Sequence, residues 1–97
     1  MTDDARAARI LARIRSIPPG RVSTYGAIDP AAPRLVGRIL STTSERVPWH
    51  RVVHSDGSLV KGQRQLELLR REQVPLRGAR VDLRAAKYPP FGWGDEP

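Results

Sequence analysis

Apolar residues recur at helical spacing over the first seventeen positions. Ala7, Ile10, Leu11, Ile14 and Ile17 share one face, while Arg6, Arg9 and Arg13 lie on another. Thr2 followed by Asp3 and Asp4 reads as the start of that helix, a capping hydroxyl with acids on the first turn. Pro18-Pro19-Gly20 ends it, because proline lacks an amide donor and restricts the residue before it. Arg21-Val22 is expected to be extended, with Ser23 capping a brief helix that begins near Thr24. Pro30 and Pro33 interrupt this helix early, and Pro33 suits the first position of the next one. Leu35, Val36, Ile39 and Leu40 supply that helix with an apolar stripe. Two short helices so closely joined predict a helix-turn-helix.

The pattern then changes. Thr42 to Arg46 is polar and reads as a loop. Arg51-Val52-Val53 and Ser58-Leu59-Val60 flank Ser55-Asp56-Gly57, a turn sequence with glycine where a positive φ is needed, which predicts a β-hairpin. A further helix is expected from about Arg64 to Glu72, with Leu66 and Leu69 inward and Leu68 beside them. Ala79 to Leu83 alternates and fits a short strand, and residues 85–97 are expected to be irregular because proline and glycine crowd them. The expected architecture is one domain over residues 1–97, mainly α with a short β-hairpin.

Composition narrows the function. The formal charge is +7, and the 17 basic residues are arginines except for Lys61 and Lys87. Guanidinium groups bind phosphate through a planar fork and stack on bases, which suits nucleic acid. The chain has no cysteine, which excludes disulfides, thiolate-bound zinc and thiol catalysis. Its two histidines, His50 and His54, do not make a metal site, and no cofactor is expected. No apolar run approaches membrane-spanning length, so a cytoplasmic, nucleoid-associated protein without membrane contact is expected.

Several motifs occur in a fixed order. Ile17-Pro18-Pro19-Gly20-Arg21-Val22-Ser23-Thr24-Tyr25-Gly26 is followed by Arg34-Leu35-Val36-Gly37, then Pro48-Trp49-His50-Arg51-Val52-Val53, the Asp56-Gly57 turn and Leu68-Leu69-Arg70-Arg71-Glu72. From about Ile10 to Val74 the chain resembles the O6-alkylguanine-DNA alkyltransferases, whose active-site motif is Pro-Cys-His-Arg-Val. Trp49 stands where the alkyl-accepting cysteine belongs. An indole has no ionisable nucleophile near neutral pH and only an N–H donor. The chain therefore resembles the non-enzymatic, alkyltransferase-like branch of that family, with the winged-helix-like helix-turn-helix fold of the alkyltransferase C-terminal domain.

What this resemblance implies can be stated residue by residue. Tyr25 would meet the phosphate of the target nucleotide and help rotate it outward. Arg34 would enter the base stack through the minor groove and fill the gap left by the extruded base. Gly37 would let the duplex backbone approach closely, with Thr24 and Leu35 on the same DNA-binding surface. Trp49 would wall a lesion pocket completed by Tyr25, Val52, Ser58 and Lys61. His50, Arg51 and Glu72 would be structural relics of the active site, since there is no thiol to activate. The implied partner is duplex DNA carrying O6-alkylguanine, bound by a monomer that flags the site for nucleotide excision repair proteins. Two other classes remain open on the residues alone. One is an enzyme using His50 or Glu72 as a general base for water. The other is a helix-turn-helix transcriptional regulator or generic DNA binder, which leaves Pro48-Trp49-His50-Arg51 without a purpose.

Overall fold

The computed structural model of the protein describes residues 3–89. Helix α1 (Asp3–Ser16) follows the apolar spacing up to the proline pair. Ile10 and Ile14 are fully buried, and Ile17, just past the helix, completes the same stripe. Thr2, the expected cap, lies outside the described residues. The chain reverses through Gly20, whose φ of +89° favours glycine.

A two-residue strand, β1 (Ser23–Thr24), leads directly into a short helix, α2 (Tyr25–Ile28), and then α3 (Pro33–Thr42). The cap of α2 is Thr24 rather than Ser23. The Thr24 hydroxyl accepts from the Ala27 N–H at 3.1 Å, whereas Ser23 is committed to the strand and buried. Pro33 opens α3 as expected. Val36 is its fully buried contact, while Leu35, Ile39 and Leu40 pack half-buried against the same core. These two helices form the helix-turn-helix pair.

A 3₁₀ turn (Trp49–Arg51) runs into β2 (Val52–Val53). The expected hairpin over residues 51–60 does not form. Its turn is present, with the Gly57 N–H donating to the His54 carbonyl at 2.9 Å and the His54 N–H to Ser58 O at 3.0 Å. No ladder extends from it, and β2 pairs instead with β1. The two run parallel, Ser23 opposite Val52 and Thr24 opposite Val53. The antiparallel pair lies further on, in β3 (Leu76–Arg77) and β4 (Arg80–Val81), joined through Gly78 at φ +61°. The strand expected over 79–83 is thus confined to Arg80–Val81.

Between them, α4 (Gly62–Arg71) starts two residues earlier than expected and buries Leu66 and Leu69. It closes with the Gln73 N–H donating to Arg70 O at 3.0 Å and the Val74 N–H to Leu69 O at 3.1 Å, a Schellman ending. Gln73 takes the left-handed position, φ +59°, where glycine is usual. Residues from 85 onward are not irregular throughout. Ala85 and Ala86 belong to α5 (Leu83–Ala86), Lys87 bridges Val22, and the Tyr88 N–H donates to Val22 O at 2.7 Å. The rest of the expected tail, residues 90–97, lies outside the described residues.

The core divides at the β1–β2 pair. Successive strand residues face opposite ways, so Val52 joins Ile10, Ile14, Ile17, Ile28 and Val36 on one side. Val53 joins Val22, Leu69, Val74, Val81 and Ala86 on the other. The fold is mainly α with a short antiparallel strand pair, and its small parallel pair holds the tryptophan turn between the two halves.

Candidate nucleic-acid interface

An open cleft of about 740 Å3 runs between one face of α3, the Trp49 turn and the start of α4. Tyr25, Arg34, Gly37, Trp49 and Lys61, five of the residues singled out in the sequence, all line it. Its volume lies within the range of small-ligand sites. Arg34, Lys61 and Arg64 bring cations to its walls, and among the described residues no carboxylate lines it. Arg34 sits in the first turn of α3, exposed and lining the cleft beside Pro33. Trp49 is half-buried, and the Arg64 guanidinium carbon lies 5.4 Å from its ring centroid, within cation–π distance. Tyr25 is half-buried at the start of α2, and burial pushes its hydroxyl pKa above the usual range. A Cβ at Gly37 would meet Tyr25 Cε1 at an ordinary 3.8 Å, so the fold itself does not require glycine there.

Four expected contacts lie elsewhere. Val52 is fully buried beneath the turn, because strand alternation points it into the first core cluster. Ser58 does not line the cleft; its N–H bonds the Asp56 carboxylate at 2.9 Å within the turn. Thr24 is 5% exposed and spends its hydroxyl on the α2 cap. Leu35 packs half-buried against the core.

The expected relic cluster is assembled. His50 Nε2 and Glu72 Oε2 lie 2.7 Å apart. Arg51 donates to both Glu72 oxygens, Nε at 2.9 Å and Nη2 at 2.7 Å, and its Nη1 donates to Ile17 O at 2.9 Å. Partial burial raises the Glu72 pKa, but the hydrogen bonds from Arg51 and His50 outweigh it and bring the carboxyl from 4.5 to about 2. The cluster therefore ties the tryptophan turn to the end of α4 and the end of α1. None of its three side chains lines the cleft.

Sequence reasoning missed the residue that holds the cleft wall. Gln65 is 1% exposed; its Oε1 accepts from the N–H groups of Val60 (2.9 Å) and Lys61 (3.1 Å). Its Nε2 donates to the carbonyls of His50 (3.0 Å) and Val52 (2.9 Å). The signal was available, since Gln65 occupies the apolar face of α4 one turn before Leu69, where a polar residue needs partners. Arg6 was placed with Arg9 and Arg13 on a face of α1 away from the apolar stripe, with no partner assigned. It instead grips the buried Asp29 at 2.7 and 2.8 Å, across the connection between α2 and α3. That hydrogen-bonded pairing lowers the Asp29 pKa.

A helix-turn-helix pair beside a cleft walled by Arg34, Lys61 and Arg64 fits a DNA-binding protein, and the family match shows the chain to be one. The family described as 6-O-methylguanine DNA methyltransferase, DNA binding domain, matches residues 5–74, and the chain belongs to it, in the alkyltransferase-like branch. A "DNA base-flipping protein" of Vibrio parahaemolyticus is 36% identical over 94 residues, covering 84% of this chain and 94% of that protein. "Alkyltransferase-like protein 1" of Schizosaccharomyces pombe is 33% identical over 90 residues, 79% of this chain and 83% of that one. The crystal structure of S. pombe Atl1 with damaged DNA containing O6-carboxymethylguanine superposes with a TM-score of 0.80 at 30% identity. It covers 93% of this chain and all of that one. Among the described residues no helix is long and apolar enough to cross a membrane.

Proposed function

We propose that the protein is a non-enzymatic sensor of alkylation damage, which binds O6-alkylguanine in duplex DNA and turns the damaged nucleotide into the Trp49 cleft. The observation that carries this reading is the cleft itself, with a tryptophan at the motif's nucleophile position and an exposed arginine at the start of α3 on the opposite wall. Extruding a base costs a few kcal/mol of stacking and pairing, and a planar guanidinium inserted in its place recovers part of that. Tyr25 meets the backbone beside the extruded nucleotide, and Gly37 leaves the space through which the duplex approaches. The apolar indole accepts alkyl groups of different size. With no cysteine in the chain, no thiolate is present to take the alkyl group. The S. pombe relative seen with O6-carboxymethylguanine DNA and the Vibrio base-flipping protein named above support the substrate class.

Binding as a monomer in the cytoplasm, the complex would mark the lesion for nucleotide excision repair. The test uses a duplex with one methyl-labelled O6-methylguanine and its unmodified twin. The lesion duplex is expected to bind more tightly and to be recovered with all label still on the DNA, and Arg34→Ala should remove the preference. Equal affinity for both duplexes would leave a generic DNA binder or a sequence-reading regulator. Label on the protein, or released into solution, would make it an enzyme.

A further inference from the structure

The turn after β2 presents an imidazole to the cleft that the reading above does not use. His54 is exposed, lines the cleft, and its ring centroid lies 5.4 Å from that of Tyr25 with the planes tilted by 40°. Its backbone is held at both groups, the N–H donating to Ser58 O and the carbonyl accepting from the Gly57 N–H. Gly57 is itself fixed, since its carbonyl accepts from the Val81 N–H at 2.9 Å and a Cβ on it would lie 2.4 Å from Val81 O. The ring therefore stands on a rigid support, which is what a binding group requires.

The charged and titratable neighbours of the cleft are Tyr25 on α2, Arg34 on α3, and Lys61 and Arg64 at the start of α4. Asp56, two residues further along the turn, is exposed and faces Arg80 at 3.7 Å, and it does not line the cleft. Among the described residues no carboxylate lines the cleft to balance a positive imidazole, whereas a DNA phosphate would balance it.

We propose that His54 and Tyr25 form a two-residue grip on the backbone phosphate of the extruded nucleotide, and that lesion binding takes up a proton at His54. A neutral imidazole offers one N–H donor and its cation two, and an adjacent anion favours the cation. The phenol supplies a second donor from the neighbouring ring. This inference rests on the damage-sensing reading, and it adds a phosphate ligand and a dependence on pH to the same cleft.

The test measures affinity for the O6-methylguanine duplex and its unmodified twin between about pH 5.5 and 8.5 at constant ionic strength. It compares the wild type with His54→Asn and His54→Lys, each checked for folding by thermal unfolding. The wild type is expected to bind the lesion duplex roughly tenfold more tightly at the acid end, the size of one charge-assisted hydrogen bond. His54→Asn should stay at the weak level and His54→Lys at the tight level throughout. His50 is present in all three proteins and cancels from the comparison. A lesion preference with the same pH profile in the wild type and His54→Asn would overturn the phosphate grip and leave damage sensing intact. No lesion preference at any pH would overturn both.

Discussion

Replacing Glu72 by glutamine removes the charge at the junction of α4, the tryptophan turn and α1, with little change of shape. A carboxyl held at about 2 instead of 4.5 has its charged form favoured by roughly 3 kcal/mol in the folded state. The side chain is 18% exposed and its interactions are partly screened, which discounts this to about 1–2 kcal/mol. Because the folded pKa is depressed, the contribution is fully present above the unfolded value near 4.5. It is lost as pH falls from there toward 2. Urea unfolding of the wild type and Glu72→Gln should therefore differ by about 1–2 kcal/mol at pH 7, or roughly 10 °C in Tm. The gap should shrink steadily below about pH 4.5. DNA affinity at pH 7 should hold for the variant as long as it is folded, since Glu72 does not line the cleft. A gap that persists undiminished at about pH 2.5, or no gap at pH 7, would refute the argument that the Arg51 and His50 bonds to a charged Glu72 stabilise the fold.

Other substitutions read out different parts of the structure. Gly57→Ala combines a φ of +84° with a 2.4 Å approach to Val81 O and should cost more than about 2 kcal/mol in chemical unfolding. Gln73→Gly should raise stability by about 0.5–1 kcal/mol by relieving the left-handed backbone at the end of α4, visible as a higher urea midpoint. Gln65→Leu strands two N–H groups and two carbonyls and should cost about 2–3 kcal/mol. It should also weaken lesion binding measured under folded conditions, because Val60 and Lys61 lose their hold on the cleft wall.

Local signals placed the first helix and the start of the third, though not the short α5 or the cap of α2. The apolar spacing from Ala7 to Ile14 lies within α1, Pro33 opens α3, and Tyr25, Arg34, Gly37 and Trp49 of the family motifs line one cleft with Lys61 of the loop before α4. The misplaced hairpin shows where local reading fails. Ser55-Asp56-Gly57 is a real turn, yet Val52–Val53 pairs with Ser23–Thr24, some thirty residues earlier, and no turn chemistry announces a non-local partner. The same pairing explains why Ser23 is a strand residue and Val52 is core rather than pocket. The partners of Gln65, whose place on the apolar face of α4 was legible, and the Arg6–Asp29 clip were hidden for a related reason. Each of these polar residues draws its value from partners that only the folded chain supplies.

The most direct test follows the tryptophan at the nucleophile position while DNA binds. In a Trp93→Phe variant, Trp49 is the remaining indole of the chain. Its fluorescence is titrated with the O6-methylguanine duplex and with the unmodified twin, at about 0.15 M salt. If the damaged base is turned into the cleft, the lesion duplex should change Trp49 emission saturably at one protein per lesion, and the twin should change it far less. Identical responses to the two duplexes would contradict the central claim that this cleft receives a damaged base.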